Sequence, residues 1–206
     1  RQIPAPVAFP APDLTLPRAP LNPSQAAAAG ALTAMIGEQG FQVALLDGVT
    51  GSGKTEVYLE AVAAVLAADP TAQVLVLLPE IALTQAVLTR FSERFGAMPA
   101  EWHSGVAPPA RRRVWEAVAT GACPIVVGAR SALFLPFTNL KLIVVDEEHD
   151  TSFKQEEGFI YQARDLAVVR GKMEAAAVVL ASATPSLESL RNAETGRYRW
   201  LRLTDR

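Results

Sequence analysis

A glycine-rich segment in the first third of the chain has the residue types and spacing of a phosphate-binding loop. It matches the pattern GxxxxGK[ST] and comprises Gly48, Val49, Thr50, Gly51, Ser52, Gly53, Lys54 and Thr55. Glycines let such a loop curl so that successive backbone N–H groups face a polyphosphate, and the following helix adds its dipole. We predict that Lys54 reaches the β and γ phosphates and that the Thr55 hydroxyl binds Mg²⁺. The segment lies between an apolar run and a helical pattern, which disfavours an ordinary glycine turn with a solvated lysine.

Three consecutive carboxylates follow another apolar run. Residues 142–145 lead into Asp146, Glu147 and Glu148, and His149 comes next. Adjacent acids repel one another, and a Mg²⁺ ion beside the phosphate loop, at the carboxyl edge of a parallel sheet, relieves that repulsion. We therefore predict Asp146 as a metal ligand and Glu147 as the residue that orients and activates the attacking water. Glu148 and His149 are predicted to report the nucleotide state to neighbouring segments. The alternative is a solvated acidic exit from a strand.

The two segments together predict a Mg²⁺-dependent nucleotide hydrolase, because a phosphate cradle, a metal ligand and a water-orienting carboxylate are all present. A small-molecule kinase stays open on these segments alone. A GTPase is disfavoured, because the run Asn139, Leu140, Lys141 does not complete an Asn-Lys-x-Asp base-reading motif.

The composition limits the remaining classes. Among 206 residues, 19 Lys and Arg stand against 21 Asp and Glu, so any nucleic-acid site must be local. The three arginines at 111–113 are interpreted first as the solvated face of a helix and second as a DNA patch. A single cysteine, Cys123, cannot build a disulfide framework or a cysteine-ligated zinc site by itself. Without a long apolar run or an export signal we predict a soluble, cytoplasmic protein with no membrane partner, and a start at Arg1 predicts a piece of a longer chain.

Five short apolar runs predict strands that are buried on both faces. They lie at residues 43–47, 73–78, 124–128, 142–146 and 176–182. Helical patterns lie at residues 54–66, 80–95, 108–121 and 163–172. The alternation predicts an α/β fold with a mostly parallel sheet and helices on both faces.

The first helix has a well-defined start. Asn22 suits the N-cap, Pro23 the first helical position, and Gln25 the third position of a capping box. We predict that this helix runs to about Gln39. The prolines in residues 1–20 exclude both helix and sheet ladder, which predicts a linker or a strap.

Several stretches resemble one family when they are taken in order. They are DGVTGSGKTEVY at 47–58, LPEIALT at 78–84, HSG at 103–105, GARSALF at 128–134, VVDEEHD at 144–150 and ASATPS at 181–186. In this order they resemble the first motor lobe of the PriA-type replication-restart DNA helicases of helicase superfamily 2. The resemblance implies a RecA-like ATP-binding lobe over residues 21–206, preceded by a linker from another domain over residues 1–20.

The same resemblance implies an activity and partners. These are ATP- and Mg²⁺-dependent 3′ to 5′ DNA unwinding in the restart of stalled forks, on single-stranded and forked DNA, with primosome proteins and single-strand-binding protein. The family's second lobe with its arginine fingers, its zinc region and its DNA-binding domain are outside this chain. Since such an arginine contributes about 10³ to 10⁵ in rate in related NTPases, we expect this lobe alone to be largely inactive. A P-loop kinase and a non-catalytic DNA-binding or protein-interaction module are the alternatives.

Further residues acquire roles by resemblance. Gln25 is similar to the glutamine that reads adenine in superfamily 2 motors, and capping and adenine reading both stay open for it. Ser182, Ala183 and Thr184 resemble the motif that couples hydrolysis to strand movement. Residues similar to those that track the backbone of single-stranded DNA are Pro79, Thr84, Gly128, Arg130 and Ser131. For Arg130 the alternative is a solvated surface arginine.

The segment at residues 151–164, after the acid cluster at 146–148, is rich in aromatic residues. This aromatic segment resembles a loop that senses DNA and relays its binding to the ATP site. Phe153, Phe159 and Tyr161 are predicted to stack on bases, and Lys154 and Arg164 to face phosphates. The alternative is that the aromatic side chains pin this segment to the domain.

Overall fold

The structure is a computed structural model that describes residues 9–38, 40–156 and 158–204. The α-helices in these ranges are α1 Pro23–Gly37, α2 Lys54–Ala68, α3 Gln85–Phe95, α4 Pro108–Ala119, α5 Ala163–Glu174 and α6 Leu187–Glu194. The strands are β1 Gln42–Gly48, β2 Gln73–Leu77, β3 Ala100–Trp102, β4 Ile125–Gly128, β5 Leu140–Asp146, β6 Lys154–Gln155, β7 Tyr161–Gln162, β8 Ala177–Ser182 and β9 Arg199–Leu203. None of the helices in the described ranges combines the length and the apolar character needed to cross a bilayer.

Seven of the described strands form one sheet in the order β3-β4-β2-β5-β8-β1-β9, and every pairing in it is parallel. The strands that precede the phosphate loop and the acid cluster, β1 and β5, both pair with β8. Their carboxyl ends therefore meet at one edge of the sheet, where ligands bind in open α/β folds. The predicted α/β architecture is confirmed.

An apolar layer covers each face of the sheet. Helices α1, α2 and α3 pack on one face with Val74 and Val76, whereas α4, α5 and α6 pack on the other with Leu75 and Leu77. Successive residues of one strand thus enter opposite layers and all are buried. This explains why the strands appear in the sequence as continuous apolar runs.

The helix predicted over residues 80–95 is divided. A 3₁₀ turn covers Glu80–Ala82, and α3 begins only after Thr84, whose backbone is extended. The Glu80 carboxylate accepts hydrogen bonds from the backbone N–H, at 3.2 Å, and the hydroxyl of Ser104. This contact ties the turn to the loop after β3, so that a tertiary interaction overrides the helical pattern.

Five of the described α-helices and strands have no counterpart among the predicted ones: β3, β6, β7, β9 and α6. β3 has three residues, and β9 mixes two basic with three apolar side chains as RWLRL. Both are edge strands of the sheet, since β3 pairs with β4 and β9 with β1. The helix α1 is described to Gly37, and Gln39, its predicted end, lies outside the described residues.

The described part of the proline-rich segment, residues 9–20, lies against the domain. The N–H of Phe9 donates to the carbonyl of Ala122 at 3.1 Å, and the N–H of Asp13 to the carbonyl of Phe95 at 2.7 Å. This part of the segment therefore fits the strap interpretation. The prolines at positions 4 and 6 lie outside the described residues.

Candidate functional site

The phosphate loop connects β1 to α2, and Gly51 and Gly53 shape it. Their φ angles are 82° and 80°, in the left-handed region that glycine enters without strain. Lys54 is buried, and its Nζ donates to the carbonyl of Gly48 at 2.8 Å. Ser52 is also buried, and its hydroxyl has no hydrogen-bond partner among the described residues. A buried ammonium group on a neutral carbonyl, next to an unpaired hydroxyl, fits a loop that binds a phosphate group.

Gln25 joins α1 to the phosphate loop. Its Oε1 accepts a hydrogen bond from the N–H of Asn22 at 2.9 Å, while Asn22 Oδ1 accepts from the N–H of Gln25 at 2.9 Å. The predicted capping box is thus confirmed. Gln25 Nε2 donates in addition to the carbonyl of Ser52 at 2.9 Å. The sequence singled out Gln25 but carried no signal for this contact, because the partner is a backbone atom 27 residues away.

Asp146 ends β5 as a buried carboxylate. Its Oδ2 accepts from the Tyr58 hydroxyl at 3.1 Å, and its Oδ1 accepts from the N–H of Glu147 at 3.0 Å. Burial, followed by the charge of Glu147, raises the pKa of Asp146 from 3.8 to about 6. Burial and the charge of Asp146 raise the pKa of Tyr58 well above its usual value, so that the phenol stays a donor. Sequence reasoning overlooked Tyr58, although it follows Lys54 by one helical turn.

The oxygen donors at this edge fit Mg²⁺. Because burial and then the charge of Glu147 raise the pKa of Asp146, a cation beside this carboxylate would stabilise its charged form. Among the described residues no three His, Cys, Asp or Glu side chains are arranged to hold a metal ion by themselves. In nucleotide sites Mg²⁺ is usually bound by one or two carboxylates, and phosphate and water oxygens complete its shell. Asp146 and the hydroxyl of Thr55 are the residues that would hold it.

Glu147 has a φ of 52°, which is unusual for a residue other than glycine. Its carboxylate lies 3.6 Å from His149 Nδ1, and this nitrogen is hydrogen-bonded to Ser182 Oγ at 2.7 Å. Ser182 Oγ also accepts from the N–H of Thr184 at 3.0 Å. The structure therefore brings together Glu147, His149 and the Ser-Ala-Thr segment around Ala183, at the ends of β5 and β8.

Glu148 points away from the other acids and is fully buried. Its carboxylate accepts from the N–H of Ser186 at 2.7 Å and from the hydroxyls of Ser186 and Ser189, both at 3.1 Å. Arg164 Nη1 completes the set at 3.3 Å. The prediction that Arg164 faces DNA phosphates is wrong, because its side chain is 8% exposed and already pairs with a buried carboxylate.

The aromatic segment divides into an inner and an outer part. Phe153 is 1% exposed and packs in the core, so the prediction that it stacks on bases is wrong. Phe159 is 76% exposed, and Tyr161 packs edge-on against Phe134 with ring centroids 5.3 Å apart. Lys154 is exposed and pairs with a neighbouring glutamate. Phe159 and Tyr161 thus keep rings at the surface.

Arg130 holds this segment in place. Its Nη1 donates to the carbonyls of Ser152 at 2.9 Å and Lys154 at 2.8 Å. The guanidinium group is therefore partly committed within the domain. Arg130 is therefore not simply a solvated arginine, and contact of its other nitrogen atoms with a DNA phosphate stays a prediction.

The other candidate tracking residues differ in exposure. Thr84 and Ser131 are exposed, whereas Pro79 and Gly128 are buried, so that contacts at the last two positions use backbone atoms. A Cβ on Gly128 would lie 2.5 Å from the carbonyl oxygen of Trp102, so only glycine fits there. The arginines at 111–113 lie on α4.

Comparison with known proteins identifies similar sequences and folds. Residues 22–193 match the family model described as DEAD/DEAH box helicase. The replication restart protein PriA of Rickettsia conorii is 50% identical over 162 residues, which are 79% of this chain and 25% of that protein. Its counterpart in Haemophilus influenzae is 46% identical over 189 residues, 92% of this chain and 25% of that protein. This chain spans about a quarter of the length of the PriA relatives.

Among solved structures, the helicase MrfA bound to DNA and AMPPNP has a similar fold. Its TM-score is 0.60, with 19% identity over 97% of this chain and 31% of that chain.

Proposed function

Because the chain belongs to the DEAD/DEAH box helicase family, we propose that it is the ATP-binding first motor lobe of a replication-restart DNA helicase. One observation carries the proposal: Lys54, Asp146 and Glu147 lie at the carboxyl ends of β1 and β5, on either side of β8. A phosphate-binding lysine, a metal-binding carboxylate and a second, half-exposed carboxylate at one sheet edge are the set that nucleotide hydrolysis requires. Family membership disfavours the small-molecule kinase.

The chemistry follows from the side chains at this edge. Lys54 exchanges the carbonyl of Gly48 for the β and γ phosphates of ATP. Thr55 and Asp146 would hold Mg²⁺, which would neutralise phosphate charge. Glu147 orients the attacking water and accepts its proton. His149 contacts both Glu147 and Ser182, and it transmits changes at Glu147 to the Ser-Ala-Thr segment.

The DNA path proposed for this lobe crosses the same edge of the sheet. Thr84, Ser131, Phe159 and Tyr161 offer hydroxyls and rings to a single strand, whereas Pro79 and Gly128 are buried and would contact it through backbone atoms. Rings that stack on bases bind single strands without reading their sequence. The fold shared with MrfA, whose structure contains DNA and AMPPNP, supports a path of this kind.

The remaining elements of the proposal rest on the resemblance of the sequence motifs to the PriA-type helicases. These are 3′ to 5′ translocation on single-stranded and forked DNA, assembly with primosome proteins and single-strand-binding protein, and a cytoplasmic location. Residues 1–20 then connect a preceding DNA-binding domain. A second lobe with arginine fingers and a zinc region follows residue 206, and residues 21–206 hydrolyse ATP poorly without it.

Glu147→Gln in the full-length protein tests the proposal. We measure steady-state ATP hydrolysis with and without single-stranded DNA, and nucleotide affinity with a fluorescent ATP analogue. DNA should stimulate the wild type, and the variant should lose about 10² to 10⁴ in kcat because a general base is removed, while it still binds nucleotide. Glu194→Gln, at an exposed position of α6, is the control and should keep the full rate. A wild type that no nucleic acid stimulates contradicts the helicase assignment.

A further inference from the structure

One carboxylate, that of Glu148, connects three segments of the candidate site. It belongs to the acid cluster, accepts hydrogen bonds from Ser186 and Ser189 at the start of α6, and pairs with Arg164 at the start of α5. Its own N–H donates to the carbonyl of Ala181 in β8 at 3.0 Å. Glu148 thus contacts α5, the start of α6 and β8, and it directly follows Glu147 in the chain.

Arg164 is the cation that makes this arrangement possible. A carboxylate that is 0% exposed needs hydrogen bonds and a compensating charge, and Arg164, with 8% of its side chain exposed, supplies the charge. The guanidinium group is itself held by other acids: its Nε lies 2.8 Å from Asp165, and its Nη1 lies 3.7 Å from Glu188 on α6. Its position is therefore fixed from α5 and from α6.

The residue next to Glu148 has a backbone that needs such support. Glu147 is in the left-handed region with φ of 52°, a conformation that persists only where the surroundings over-determine it. Two local hydrogen bonds hold it: its N–H donates to Asp146 Oδ1 at 3.0 Å, and its carbonyl accepts from the N–H of Asp150 at 2.8 Å. The backbone N–H of Glu148 ties this turn to the carbonyl of Ala181 in β8, and the Glu148 side chain ties it to α5 and α6.

We propose that Arg164 is a positioning residue for ATP hydrolysis: through its ion pair with Glu148 it holds the Glu147 backbone in the conformation that presents the Glu147 carboxylate to the attacking water. Arg164 touches neither nucleotide nor DNA in this role. The inference rests on the proposed function, since it requires Glu147 to act on water.

The experiment uses the full-length protein with Arg164→Met and Arg164→Lys. The control is Arg94→Met, which removes a comparably buried ion pair: Arg94 lies 3.0 Å from Glu60 on the helices α3 and α2, with exposed fractions of 10% and 13%. For each variant we measure kcat and KM for ATP at saturating single-stranded DNA, the affinity for a fluorescent ATP analogue, and the midpoint of thermal unfolding.

We expect Arg164→Met to lower kcat about 10- to 100-fold, because small misplacements of a catalytic group have effects of this size. KM and nucleotide affinity should stay within about twofold of wild type, Arg164→Lys should recover part of the rate, and Arg94→Met should leave kcat unchanged. A folded Arg164→Met with wild-type kcat, or an equal loss in Arg94→Met, overturns the inference.

If Arg164→Met alone does not fold, a double variant distinguishes a positioning role in catalysis from a purely structural ion pair. Glu148→Gln combined with Arg164→Met removes both charges, keeps an amide that the two serines can bind, and should restore much of the unfolding midpoint. Positioning predicts that kcat stays at least about tenfold low in this folded protein, whereas a merely structural ion pair predicts that kcat recovers with the midpoint. A wild type that hydrolyses no ATP overturns the proposed function itself, whereas an active wild type with unaffected variants overturns only the role of Arg164.

Discussion

Asp146→Asn should make the protein more stable at neutral and alkaline pH. The pKa of Asp146 is raised from 3.8 to about 6, first by burial and then by the charge of Glu147. The folded state therefore binds this proton more tightly than the unfolded state, and ionisation of the carboxyl group lowers stability as the pH rises through about 6. Because the folded and unfolded pKa values differ by about two, ionisation lowers the free energy of unfolding by about 3 kcal/mol. This loss is absent below pH 3.8 and complete well above pH 6.

The asparagine side chain keeps the shape and the hydrogen bond from Tyr58 but carries no charge. At pH 8 the variant should be more stable than wild type by up to about 3 kcal/mol, an increase of roughly 6–12 °C in unfolding midpoint for a chain of this size. At pH 4 the two midpoints should nearly coincide. We measure thermal unfolding of the 206-residue chain at both pH values, in EDTA and without nucleotide.

A control with the opposite sign comes from Asp69. Hydrogen bonds from the side chain of Thr71 and then from Asn139 lower the pKa of this exposed carboxyl, so Asp69→Asn should lower the midpoint at pH 8. An Asp146→Asn protein that is no more stable than wild type at pH 8 refutes the view that a buried, ionised carboxylate at this position destabilises the fold. A gain at pH 8 means that the fold retains Asp146 for function at the expense of stability.

Two further substitutions test other contacts. Gln25→Ala removes the two hydrogen bonds of the Gln25 side chain, from the N–H of Asn22 and to the carbonyl of Ser52. It should lower the free energy of unfolding by about 1–2 kcal/mol in a denaturant titration. If Gln25 also reads adenine, the preference for ATP over GTP in a binding assay should flatten, whereas an unchanged ratio leaves only the capping and loop contacts. Phe159→Ala should weaken single-stranded DNA binding by the full-length protein by about 1–3 kcal/mol in a fluorescence titration, because it removes a stacking surface. Met173→Ala, at a similarly exposed apolar position on α5, should leave this affinity unchanged, and equal losses in the two variants would speak against stacking.

The sequence predicted the parts of the site whose residues are neighbours in the chain. The phosphate loop and the acid cluster each follow a buried apolar strand, so their place at the carboxyl edge follows from the pattern of strands alone. Which strands flank β8, and hence how the two segments approach each other, depends on sheet order. Sheet order is set by packing over long sequence separations and has no local signature.

The aromatic segment shows where local reasoning fails. Composition marks its rings and cations as candidates for DNA contact, but not which of them face outward. Arg130 fixes that choice by holding the carbonyls of Ser152 and Lys154, with Phe153 buried between them. Arg164 faces inward because the buried carboxylate of Glu148 requires a compensating positive charge. Neither partner is near in the sequence, so the same residue types fit an outer or an inner role until the tertiary contacts are known.

The order of the strands also has a consequence for how the chain reaches its folded state. β1 carries the phosphate loop, yet both of its neighbours in the sheet come from the end of the chain: Gln42 pairs with Ala177, and Ala44 with Arg199. At a synthesis rate of about 5–20 residues per second, the apolar run of β1 waits on the order of ten seconds for its partners to be made. Pairings over such distances form slowly as well, since the entropy of closing the loop must be paid first. We therefore expect the nucleotide pocket to be among the last parts of the nascent protein to form, and nucleotide to bind only once translation of the lobe is complete.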